Sequence, residues 1–127
     1  MKRVTGIGGV FFKCEDPEKL QAWYTRHLGI TPKGDSGVSF EWRETDHPQT
    51  VGRTVWAPFP KDTDYFKPSR APFMINYRVD NLKELLAELR KEGVTVDDRI
   101  EEYDYGKFGW IMDPEGNRVE LWEPPSP

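Results

Sequence analysis

At 127 residues the chain has the size of one domain, and folding at that length buries somewhat under roughly 70% of the surface that the unfolded form exposes. Hydrophobic residues at 36%, aromatics at 13% and charged residues at 31% exclude intrinsic disorder except at the ends. The net charge of -4 comes from 18 basic and 22 acidic residues interleaved along the chain, which leaves no basic patch for nucleic acid.

Residues 1–5 lead straight into the first predicted strand with no apolar stretch of signal-peptide kind, and no run approaches membrane-spanning length. Cys14 is the single cysteine, so an intramolecular disulfide is excluded, and the expectation is a soluble protein of a reducing, cytoplasmic compartment. Residues 7–13 form a mostly apolar run with two glycines and two phenylalanines, the pattern of a buried strand. A helix follows, with Asp16 as N-cap, Pro17 at the first helical position and Glu18 against the dipole. Leu20, Trp23, Tyr24 and Leu28 recur on one face of it, and Gly29 supplies the left-handed stop. His27 falls in the last turn, where a cation suits the dipole. Strands are predicted at 38–43 and 51–56, the first after the turn-rich stretch 33–37. Four prolines, Pro58, Pro60, Pro68 and Pro72, then mark a linker.

The same grammar returns in the second half. Phe73, Met74, Ile75, Tyr77 and Val79 make a strand, Asn81 and Glu84 a capping-box-like pair, and Leu82, Leu85, Leu86 and Leu89 an apolar helix face that Gly93 ends. Strands are predicted at 95–103, 107–112 and 118–122, with Asp113-Pro114-Glu115-Gly116-Asn117 as a hairpin turn. Asp16 and Asp80 lie 64 positions apart, as do Gly29 and Gly93, so the chain reads as an internal duplication.

A duplicated strand, helix and strands unit of this length, with the Leu28-Gly29 helix end, the Val79-Asp80 entry to the second helix and Asp-Pro-Glu-Gly-Asn before Arg118-Val119-Glu120-Leu121-Trp122, resembles the vicinal oxygen chelate superfamily of glyoxalases, bleomycin-resistance proteins and extradiol dioxygenases. The resemblance covers nearly the whole chain. It implies an α+β fold of duplicated βαβββ modules in a curved, incomplete barrel, with a site on the concave face and a homodimer in solution. On that basis residues 1–57 form the first module, 58–72 the Pro-rich linker, 73–123 the second module and 124–127 a disordered or extended tail.

Metal enzymes of that superfamily take four ligands: a histidine in each first strand and a carboxylate, often glutamate, in each last strand. Glu120 matches the last of these. The other three places fall at Gly9, at Met74 or Phe73, and at Trp56 or Val55. None offers the imidazole nitrogen or carboxylate oxygen that divalent ions prefer. The expectation is therefore no cofactor and no metal, with Glu120 the one residue that a divalent ion would use. Two sequence clusters, Glu41, Glu44, Asp46 and His47, and Glu101, Glu102 and Asp104, are the candidates for a non-standard set, and solvated surface is the simpler reading of both.

Aromatic residues crowd the predicted strands. Trp42, Trp56, Tyr77, Tyr103, Tyr105, Phe108, Trp110 and Trp122 are candidates for a stacking surface, and Arg53, Asn76 and Arg78 for its polar contacts. Strand alternation sends every second side chain toward the helices, so core packing accounts for about half of the aromatics. It also places Glu120 and Trp122 on one face. A Glu120 buried in a dry aromatic cleft would have a raised pKa and be a candidate acid or base. Three functional expectations follow. The first is a metal-free binder of a small aromatic or amphipathic molecule. The alternatives are a metal-dependent lyase, isomerase or dioxygenase with ligands around Glu120, and a dimeric interaction module whose cleft is filled by its own side chains. No membrane or nucleic-acid partner is expected.

Overall fold

The structure, a computed structural model, describes residues 2–34 and 37–126. Its elements run β1 (Val4–Cys14), α1 (Pro17–Leu28), β2 (Val38–Arg43), β3 (Val51–Pro60), β4 (Phe73–Val79), α2 (Leu82–Lys91), β5 (Glu101–Tyr103), β6 (Gly106–Met112) and β7 (Arg118–Glu123). Both helices begin as their caps dictate. The Asp16 carboxylate accepts from the Lys19 amide at 3.2 Å, and Asn81 accepts from the Glu84 amide at 3.2 Å while its own amide donates to the Glu84 side chain at 3.0 Å. Gly29, at φ 70°, closes α1 in the left-handed conformation.

The seven strands form one open sheet in the order β2-β3-β1-β4-β7-β6-β5. Within it β1 runs parallel to β3 and β4 parallel to β7, while β2/β3 and β6/β7 are antiparallel neighbours. The run β1-β3-β2 therefore has the connectivity of β4-β7-β6, and the two halves join along the antiparallel β1/β4 seam. This is the α+β duplicated architecture expected, as an unclosed sheet. Among the described residues the first half supplies two strands after its helix and the second supplies three.

Three boundaries differ from expectation for identifiable reasons. Strand β3 continues through Pro60 into the stretch read as linker. Its pairing with β2 stops at Trp56, so Pro58 and Pro60 pair only with β1 and occupy an edge, where a missing N–H leaves no gap in a ladder. The strand expected at 95–103 shrinks to β5 and a lone Val96–Ile111 bridge, because the Asp97 side chain accepts from the Arg99 amide at 2.9 Å and turns the chain. At the start, β1 begins at Val4 rather than at residue 7. Positions 35 and 36 of the turn expected at 33–37, with Met1 and Pro127, lie outside the described residues.

Both helices cover the same side of the sheet. Leu82, Leu85 and Leu86 of α2 pack with Val79 and Leu121 in one buried cluster, and Gly109 lets Leu86 approach, since a β-carbon there would lie 2.9 Å from its Cδ1. By contrast α1 buries none of its residues completely; Tyr24 meets Trp56 at 4.8 Å and Trp23 stays 51% exposed. A second buried cluster, Phe11, Phe66, Met74 and Trp110, lies on the opposite, inner face. This asymmetry predicts that Leu86→Ala costs about 2–5 kcal/mol in urea unfolding and Trp23→Ala less than about 1 kcal/mol. Equal losses would contradict the packing described.

Candidate functional site

A single cross-strand row defines the centre of the inner face. Val55 of β3, Gly9 of β1, Asn76 of β4, Glu120 of β7 and Trp110 of β6 are successive register partners. Because side chains alternate, Arg118, Glu120 and Trp122 point inward while Val119 and Leu121 face α2.

Glu120 is 1% exposed. Its Oε1 accepts from Asn76 Nδ2 at 2.7 Å, and its Oε2 accepts from Trp110 Nε1 at 2.9 Å and from the Tyr65 hydroxyl. Burial raises the carboxyl above its ordinary pKa; the three hydrogen bonds and the nearby Arg118 charge oppose that shift without cancelling it. The Tyr65 hydroxyl is pushed far up by burial and by Glu120, so it remains a donor. Arg118, itself buried, donates to the Tyr65 carbonyl, lies 4.8 Å over the Trp110 ring and approaches Asp97 at 3.6 Å. Burial lowers its pKa, and Asp97 partly restores it.

Several expected residues gather here. Asn76 and Trp110 bond Glu120 directly, and Phe108 stacks on Trp122 at 6.3 Å. Trp122 reaches toward Asn76: a β-carbon on Gly8 would lie 2.3 Å from Asn76 Oδ1 and 2.9 Å from the Trp122 ring. The aromatic strip extends outward through Tyr103 and Tyr105, a mutually stacked, exposed pair at 5.1 Å, with Tyr105 accepting from Trp122 Nε1 at 2.8 Å through its carbonyl.

Other expected residues stand apart. Trp56 and Tyr77 face the helices, because they alternate with Val55 and Asn76; Trp56 packs on Phe12 and Tyr24, and Tyr77 on the α2 cluster. Arg53 is exposed and paired with Glu41 at 2.9 Å. Trp42 lies against Gly6 and Gly52, donates to Thr54 Oγ1 at 2.8 Å and sits 5.9 Å from the Arg78 guanidinium, which pairs with Glu44 at 2.9 Å. Of the alternative ligand places, Val55 and Met74 are those that share the inner face with Gly9, and the Phe11 ring fills the space beside Gly9, 2.7 Å from where its β-carbon would be. Among the described residues no three His, Cys, Asp or Glu side chains converge.

Tyr65 and Phe66 escaped sequence reasoning, since both fall in the Pro-rich connection between β3 and β4. An adjacent aromatic pair in an otherwise polar, proline-rich stretch was the available signal.

The sequence matches a family model described as the Glyoxalase/Bleomycin resistance protein/Dioxygenase superfamily over residues 6–121. The chain belongs to this superfamily. Similar solved structures carry the same fold at low identity. A methylmalonyl-CoA epimerase from Mycobacterium tuberculosis is 20% identical, with a TM-score of 0.63 and coverage of 99% of this chain and 92% of that one. A methylmalonyl-CoA epimerase in complex with methylmalonyl-CoA and NH4+ is 15% identical, with a TM-score of 0.69 and coverage of 97% and 96%. The Mn(II)-bound glyoxalase from Novosphingobium aromaticivorans is 18% identical, with a TM-score of 0.62, and this chain covers 40% of its length and 97% of its own. Among curated proteins none matches the sequence.

Glu120 makes this superfamily member's stability depend on pH in a definite direction. With its folded pKa raised, the carboxyl contributes stability that is complete below its unfolded value near 4.5 and is lost as pH rises through the folded value. Glu120→Gln cannot ionise, so wild type should lose melting temperature relative to the variant as pH rises through the range above the ordinary value near 4.5. A wild-type minus variant difference that stays flat across that range would show that the raised pKa is absent.

Proposed function

We propose that the chain is a metal-free member of its superfamily that binds a small aromatic or amphipathic molecule on the inner face, beside Glu120. One observation carries the reading: the superfamily's carboxylate is kept at Glu120, but its oxygens accept from three N–H or O–H donors, Asn76, Trp110 and Tyr65. Superfamily metal enzymes surround that position with imidazole and carboxylate. Here the remaining places hold Gly9, Val55 and Met74, none of which donates to a divalent ion. This donor set does not fit such a metal. The face around the carboxylate is aromatic: Trp110 and Tyr65 bond it, and Phe108 and Trp122, stacked on each other along the same face, lead on to Tyr103 and Tyr105 at solvent. Planar ligands gain from stacking on such rings and orient through a few polar groups.

Elemental analysis of protein purified without chelator, with Glu120→Ala alongside, should find no stoichiometric metal in either. Near one ion per chain that disappears in the variant would overturn the reading in favour of a metal-dependent lyase, isomerase or dioxygenase. In a tryptophan-fluorescence screen of planar aromatic compounds, hits should weaken roughly two- to tenfold in Trp122→Ala. Hits indifferent to Trp122 would place binding elsewhere.

Homodimerisation belongs to the same proposal, and α1 supports it by leaving Trp23 and Leu28 exposed on a helix that buries none of its residues completely. Sedimentation equilibrium is expected to give twice the chain mass, falling toward one in Trp23→Glu; a monomer at all concentrations would remove this part. The competing reading, a module whose cleft is filled by its own side chains, has Tyr65 in its favour, and a screen without any hit would support it.

A further inference from the structure

The connection at residues 61–72 runs over the inner face as a strap, and its two aromatic residues are held very differently. Phe66 is fully buried, packed with Phe11, Met74 and Trp110. Tyr65 is 37% exposed. Its ring stacks on Phe59 at 5.7 Å with 12° between planes and meets Trp110 edge-on at 6.4 Å and 89°. The Arg118 guanidinium lies 5.9 Å from the ring, and the hydroxyl donates to Glu120. The strap's backbone bonds within itself are local, from Thr63 to Pro60, Lys67 to Asp64 and Ser69 to Phe66, and it is tied to the sheet by the Lys13 amide on the Pro72 carbonyl at 2.7 Å and by Arg118 on the Tyr65 carbonyl, none of which holds the Tyr65 side chain. Phe66 can therefore anchor the strap while the Tyr65 side chain leaves.

We infer that Tyr65 is the built-in occupant of a phenol-binding position, and that the ligand is a neutral aromatic compound with a ring hydroxyl that replaces the Tyr65 side chain at Glu120. This rests on the reading that the inner face binds a small aromatic molecule, and it adds which one. Physical chemistry narrows the class. Removing the tyrosine leaves Glu120 buried with one donor fewer, and a ring without a donor cannot replace it. A carboxylate ligand would meet a like charge in a desolvated place. An aryl ammonium would satisfy Glu120 but would put its charge beside Arg118, whose position over the ring favours a neutral π face. A neutral phenol meets all three demands, as Tyr65 itself does.

Phenol and its methyl ether, anisole, separate the hydroxyl from the ring. Tyr65→Ala should bind phenol about tenfold or more tightly than anisole, read through tryptophan emission, and more tightly than wild type, where Tyr65 competes. In wild type, saturating phenol and not anisole should shift the Tyr65 ring signal in the NMR spectrum of tyrosine-labelled protein, assigned through Tyr65→Phe, as the side chain leaves Glu120 while the strap stays anchored. Equal binding of phenol and anisole to Tyr65→Ala would overturn the inference and leave aromatic binding intact. Absence of phenol binding, while compounds sensitive to Trp122→Ala still bind, would also sink the inference alone; loss of both kinds of binding would remove the underlying reading too. Should thermal melting show that Tyr65→Ala does not fold, the wild-type NMR experiment decides, and a Tyr65 signal indifferent to phenol overturns the proposal.

Discussion

A carboxylate withdrawn from water must be given hydrogen-bond donors, and the rest of this protein's inner face is arranged around meeting that demand at Glu120. The penalty for burying the charge is several kcal/mol, and each hydrogen bond to a charged group returns about 1.5–3 kcal/mol. The three bonds from Asn76, Trp110 and Tyr65 thus come close to offsetting the penalty, which agrees with a pKa that stays raised despite them. No donor is redundant. One comes from β4, one from β6 and one from the strap, so a single side chain ties together the second half of the sheet and the connection between the halves.

That arrangement depends on glycine and aromatic residues meeting across the β1/β4 seam. Gly8 leaves room for Asn76 and Trp122, and Gly9 leaves room for the Phe11 ring. In superfamily members with a metal, side chains at such inward positions converge on an ion. Here Phe11 and Met74 pack into an apolar cluster with Phe66 and Trp110, which makes the surroundings of Glu120 drier and its hydrogen bonds more consequential. Arg118 completes the arrangement from the side: it holds the strap by the Tyr65 carbonyl and spreads its charge over two aromatic rings instead of pairing closely with Glu120.

The two sides of the sheet divide the labour. The helix side carries the larger aliphatic cluster under α2, a packing arrangement that fixes the fold and leaves the inner face free to differ among relatives that share only 15–20% of their residues with this chain. Fold and site are consequently under separate constraints, which is how one architecture is found with different chemistries.

Local signals in the sequence determined the elements. Asp16, Pro17 and Gly29 bound α1, Asn81 and Glu84 begin α2, and the leucines at helical spacing carry its buried face, because caps and periodicity act over a few residues and need no distant partner. The equal offsets between the halves made the duplication legible, and strand alternation alone put Glu120 and Trp122 on one face. Alternation did not say which face Trp56 and Tyr77 shared, since a period of two distinguishes two sides without naming them. Nor did it reveal that β3 would carry prolines to Pro60, an option open only because β2 ends its pairing at Trp56. Tyr65 is the clearest case. Its role at Glu120 spans 55 positions of sequence, and only the folded path of the strap, anchored by Phe66, brings the hydroxyl to the carboxylate.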